Sequence, residues 1–115
     1  SNKIENDEDL IDINDFQKIK LKTAKILSAE KVKKSKKLLK LQVEISDSTR
    51  QILAGIAEHY EPEYLVGKTI VVVSNLKPAK LMGEESQGMM LAANHDGKLC
   101  FVTTEQDMPS GAEVK

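Results

Sequence analysis

Leu39, Leu41, Val43 and Ile45 alternate without a break with Lys40, Gln42 and Glu44. A period of two puts one set of side chains on each face, so this segment reads as a strand with one side buried and the other wet. Neighbouring segments follow the same pattern. Asp47-Ser48-Thr49 supplies turn chemistry, and Arg50-Gln51-Ile52-Leu53-Ala54 reads as a strand hairpinned to the first, ended by Gly55. Upstream, Lys18 to Thr23 alternates lysines with apolar groups as a first strand. The phase then slips, because Ala24 and Ile26 become the apolar positions around Lys25, as at a bulge or sharp bend.

Thr69-Ile70-Val71-Val72-Val73 is β-branched and apolar on both faces, which predicts a strand covered on both sides. Residues 57 to 66 hold Pro62 with Tyr60, Tyr64, Leu65 and Val66, a pattern for one or two helical turns plugging an end of the sheet, closed by Gly67. Asn75 to Gln87 reads as a loop punctuated by Pro78 and Gly83. Gly88 to Ala93 resumes an apolar strand, and Asn94-His95-Asp96-Gly97 turns into Leu99 to Thr103 with a good Asp-Gly hairpin signal. Short strands with one helical insert after the third predict an all-β chain: a five-stranded Greek-key barrel of the OB-fold plan, with a C-terminal extension.

The 115 residues suit one domain. Aromatics are only 3% of the chain, so the core must be aliphatic. Residues 1–15 are acidic and poor in groups to bury, which reads as a linker into a domain spanning 16–115. The start at Ser1-Asn2 reads as a cloning scar. Cys100 is the only cysteine, so no intrachain disulfide forms, and its place between Leu99 and Phe101 suggests a packed core residue. No apolar run approaches the roughly 20 residues of a spanning helix. A soluble, cytoplasmic chain without a membrane partner is expected.

Net charge is only -1, but it is sharply divided. Residues 1–15 sum to -5, residues 18–40 carry ten lysines against Glu30, and the remainder sums to -5. Lysines on a strand, on the next strand and on the turn between them fold into one patch that attracts phosphates; the competing reading is an ordinary solvated face. In the OB plan the ligand face is flanked by the loops joining strands one to two and four to five. Lys31 to Lys37 is the first loop, and Asn75 to Gly83 the second.

Catalytic motifs are wanting. Lys33-Lys34-Ser35-Lys36-Lys37 resembles the lysine-serine-lysine loop of class I synthetases, but its partner histidine-glycine-histidine motif is missing. Ser86 lacks a nucleophile-elbow context. His59 and His95 have no second ligand at metal spacing, and both read as surface residues. Gly83, Gly88 and Gly97 form no phosphate-cradling motif, and the Glu84-Glu85 pair reads as solvated. No enzyme, cofactor, metal or small-molecule substrate is expected of this chain.

Lys36-Lys37-Leu38-Leu39-Lys40-Leu41, Arg50-Gln51-Ile52, Asn75-Leu76-Lys77-Pro78 and Ser86-Gln87-Gly88-Met89, in that order, resemble the tRNA-binding domain at the C-terminus of bacterial methionyl-tRNA synthetases. The likeness covers about Asp15 to Val114. It implies an OB-fold that binds the outside corner of tRNA without reading an anticodon, and that forms a homodimer. Related domains also occur as free-standing tRNA-binding proteins and as a chaperone-like secretion protein, so a protein-interaction module of the same fold is the alternative. Carried onto this chain, the resemblance implies phosphate contacts from Lys33, Lys34, Lys36 and Lys40, and a forked contact from Arg50. Asn75, Lys77 and Lys80 would contribute from the second loop. Ser86 would donate to RNA; Met89 would pack on a sugar or base, or else sit in the core. Independently, Phe16, Tyr60, Tyr64 and Phe101 are the only aromatics, too few for a stacking platform.

Overall fold

The computed structural model describes residues 7–115, so the Ser1-Asn2 reading lies outside the described residues, as does the first part of the acidic lead. A 3-10 turn at Asp7–Asp9 and a short helix α1 (Ile13–Gln17) precede the long strand β1 (Leu21–Lys31). Next come β2 (Leu39–Ile45), β3 (Ser48–Ala54), the one-turn helix α2 (Pro62–Leu65) and β4 (Thr69–Val73). Strands β5 (Ala79–Leu81) and β6 (Glu84–Ser86) make a small hairpin, and β7 (Met89–Met90) rejoins the main sheet. A second hairpin, β8 (Ala92–His95) with β9 (Lys98–Phe101), precedes β10 (Glu113–Val114), which pairs with the start of β1.

The main sheet runs β3-β2-β1-β4-β7, antiparallel throughout. Its two ends meet where the Gln87 amide donates to the Gln51 carbonyl at 2.8 Å. The sheet thereby curls into an OB-like barrel. The inward set of β2 (Leu39, Leu41, Val43, Ile45) is buried as the alternation demands, against Ile26, Ile52, Ile70 and Val72. Leu65 plugs the barrel from α2, which starts on Pro62, a residue whose fixed φ and missing N–H suit a first helical turn. Strand β4 is buried on both faces from Ile70 to Val73, as its composition predicts.

Where the structure departs from the sequence reading, the cause is long-range. Strand β1 begins at Leu21 and not Lys18, because the Asn75 side chain grips the preceding backbone: its oxygen accepts from Lys20 N at 2.9 Å and its amide donates to Lys18 O at 2.7 Å. The expected irregularity falls at Leu27, where the β1–β2 register shifts between Ile26 and Ser28. Consecutive burial of Thr23 and Ala24 arises because residues 109–112 cover the second face; Thr23 Oγ donates to Pro109 O at 2.8 Å and accepts from Ala112 N at 2.9 Å.

The stretch Asn75 to Gln87, read as a loop, contains the β5–β6 hairpin. The run from Gly88 to Ala93 is divided, its first half in the barrel and its second in a separate hairpin. Of the three two-residue hairpin turns, Met82-Gly83 and Asp96-Gly97 have positive φ at each position, the type I′ geometry, while Ser46-Asp47 has it at Ser46 alone. Asp-Gly suits it; a methionine at φ 52 carries about 1–2 kcal/mol of local strain. Cys100 is exposed and not core, since neighbours on a strand point oppositely and Leu99 and Phe101 take the inward side.

Candidate nucleic-acid interface

The turn between β1 and β2 is a built structure. Val32 is buried, its amide donates to Leu38 O at 3.3 Å, and Ser35 Oγ accepts from the amides of Lys37 and Leu38 at 3.2 and 3.1 Å. Lys37 O in turn accepts from Ala57 N at 2.9 Å, tying the turn to the residues before α2. Lys33, Lys34, Lys36 and Lys37 project from it exposed, and none takes part in an ion pair among the described residues. A patch of unneutralised cations on a backbone already ordered binds an anion without first losing loop entropy.

Lys40, just past this turn, behaves differently. It is half-buried and lies 3.4 Å from Glu30 and 3.5 Å from Glu84. Its hydrogen bond to the Glu30 carboxylate, with Glu84 adding to it, holds its ammonium above the ordinary lysine value despite partial burial. The contact also joins the lysine turn to the β5–β6 hairpin. Gln51 strengthens that junction, donating from Nε2 to Glu85 O at 2.8 Å and accepting from Gln42 at 3.0 Å. Lys77 and Lys80 stand exposed on the hairpin side, without ion pairs among the described residues.

Three other residues implied as RNA contacts have protein partners for their polar atoms. Ser86 is buried; its hydroxyl accepts from Leu53 N at 3.0 Å and donates to Gly88 O at 2.9 Å. Arg50 donates from Nη1 to the carbonyls of Ser74 and Gln87. Asn75 clamps Lys18 to Lys20. Ser86, Arg50 and Gln87, whose side chain accepts from Gln51 N at 3.0 Å, form the seam that closes β3 against the far edge of the barrel. Gly88 belongs to this seam, since a Cβ there would lie 3.0 Å from Val73 O and 3.3 Å from the Ile52 methyl. Met89 is 48% exposed on β7, while Met90 takes the core position.

Ser35, Gln51 and Gln87 escaped sequence reasoning. Ser35 alone had a local signal, a short hydroxyl side chain inside a polar turn. Tyr60, Tyr64 and Phe101 pack on one another at centroid distances of 5.7 and 5.2 Å, and Lys68 covers the Tyr64 ring at 4.5 Å.

A five-stave barrel that carries a hydrogen-bonded turn of exposed lysines, unpaired among the described residues, and a second loop with two more defines the class: a small β-barrel module with a cationic surface. Comparisons with known proteins make this particular. The family described as "Putative tRNA binding domain" matches residues 21–113. A methionine–tRNA ligase of Archaeoglobus fulgidus is 56% identical over 104 residues, covering 90% of this chain and 16% of that protein. A MetRS-related protein from Pyrococcus horikoshii superposes with a TM-score of 0.88 at 42% identity, covering 93% of this chain and 99% of the other. A chaperone CsaA from Bacillus anthracis shares the fold, with a TM-score of 0.84 at 23% identity over 92% and 99% of the two chains. The chain belongs to the tRNA-binding domain family, and it spans about a sixth of the length of the ligase relative.

Proposed function

We propose that this domain holds folded tRNA by phosphate and shape contacts without reading sequence, as an anchor tethered to a methionine–tRNA ligase in the cytoplasm. The observation that carries this reading is the set of lysines without ion pairs among the described residues, Lys33, Lys34 and Lys36, on a turn fixed by Ser35 and braced against the hairpin that follows Lys77 and carries Lys80. Met89, exposed on β7, is free to touch a sugar or base. Lys40, Arg50, Asn75 and Ser86 support the surface from behind. Three of the four aromatic rings, Tyr60, Tyr64 and Phe101, are engaged with one another, which favours phosphate and shape over base stacking. Residues 1–15 act as the acidic linker. A second tethered contact raises effective concentration and needs no change in an active site, so deleting the domain raises the ligase's tRNA KM more than it lowers kcat.

The same reading includes a homodimer. Leu10, Ile11, Ile13 and Ile19 are exposed around α1, beside a groove lined by Phe16, Leu21 and Val114. Sedimentation equilibrium checks it: a mass of two chains is expected, and Ile13→Glu should return one. For RNA binding, a gel-shift titration compares tRNA with a linear oligonucleotide of equal charge. Preference for tRNA is expected; equal affinity for both sinks the structured-RNA reading.

A further inference from the structure

The tip of the β5–β6 hairpin is poorly explained by folding. Leu81 and Met82 are 43% and 53% exposed, and Leu76 on the approaching arm is 47% exposed. Met82 holds a left-handed φ of 52°, where Asn, Asp or Gly is the favoured occupant of a type I′ turn. The second type I′ turn of this molecule meets that preference with Asp96-Gly97. A methionine that strains the backbone and buries little contributes nothing to the turn, so its value lies in what it touches outside.

The tip is also firmly mounted. Lys40 pairs with Glu84, Gln51 donates to Glu85 O, and buried Ser86 ties the hairpin's end to Leu53. The mount adjoins the lysine turn, and Lys77 and Lys80 bracket the approach to the tip. An apolar, polarisable tip whose approaching arm carries Lys77 and Lys80 complements one feature of folded RNA: a flat base-pair face left unstacked at a corner and ringed by phosphates. The interior of a regular duplex hides such faces.

We propose that Leu81 and Met82 pack on an exposed base-pair face of the bound tRNA, and that this contact, not the lysines, makes the domain prefer folded RNA over plain duplex. The inference rests on the tRNA reading above. Its test is Met82→Asn, which converts the turn to the favoured Asn-Gly pair, together with Leu81→Ser as a variant at the neighbouring exposed position. Affinity is measured for tRNA and for an RNA duplex closed at both ends, matched in phosphate number.

Met82→Asn should raise the melting temperature slightly while weakening tRNA binding about 3- to 10-fold, with the salt slope and the closed-duplex affinity unchanged. Leu81→Ser should weaken tRNA in the same selective way. Unchanged tRNA binding in both variants, or equal losses on both RNAs, overturns the proposal. So does binding of the wild type to phosphatidylserine-containing vesicles that Met82→Asn abolishes while tRNA affinity stays the same. If the wild type itself fails to prefer tRNA over the closed duplex, the tRNA reading falls first, an outcome separable because no variant is needed to see it.

Discussion

The lysine turn and the barrel seam lie within a few residues of each other along β2 and β3, yet they spend their polar groups in opposite ways. In the seam, Arg50, Ser86 and Gln87 give their hydrogen bonds to the protein's own backbone and close the barrel. In the turn, Ser35 is the side chain that satisfies the backbone, and Lys33, Lys34 and Lys36 take part in no ion pair among the described residues. On the proposed reading, a sequence motif belongs to a binding surface in two ways: part of it makes the surface, and another part makes the contact.

That contrast is breakable. The largest effect expected is on affinity: charge reversal of Lys33, Lys34 and Lys36 to Glu should weaken tRNA binding on the order of 100- to 1,000-fold near 0.1 M salt. Unfolding free energy should stay within about 0.5 kcal/mol of wild type in urea titration. A matching loss of stability would mean the turn is structural after all. Second, Ser86→Ala orphans the buried Leu53 amide and should cost about 1–3 kcal/mol of stability, with tRNA affinity of the folded protein nearly unchanged. Gly88→Ala should cost a similar amount, because Val73 O and Ile52 have little room to give. A Ser86→Ala variant of full stability but weak RNA binding would move Ser86 to the contact side of the comparison.

The smallest effect falls on Lys40, which stands between the two regions. Its carboxylate partners raise its pKa, so the stability it adds is fully present below the ordinary lysine value and is lost only as pH rises through the raised one. Lys40→Met should therefore change stability little, and equally at pH 6 and pH 8, by urea titration at each. Its tRNA affinity should fall less than about 3-fold. A loss as large as that of a free lysine would show that RNA displaces Glu30 and Glu84.

Much of this was legible in the sequence, for local reasons. Alternation fixes the inward set of β2, β-branched content marks β4, Pro62 starts α2, and Asp96-Gly97 announces its hairpin. The exposed lysines of the first loop could be read directly, since nothing distant alters them. What escaped depends on partners far along the chain. Asn75 reaches back to Lys18 and Lys20, the segment at 109–112 covers Thr23, and Ser86 and Gln87 close onto β3. The β5–β6 hairpin escaped because its strands are three residues each, too short for a periodic pattern, and its apolar residues sit at the tip.

On the proposed reading, a few lysines on a preformed turn carry the phosphate contacts. That reading is tested most directly by titrating tRNA binding against salt for the wild type and for the Lys33, Lys34 and Lys36 charge-reversal variant. With about six phosphates engaged, the wild-type slope of log affinity against log salt should be roughly -5, and the variant's should be shallower by about 2 to 3. Equal slopes and equal affinities would contradict the account.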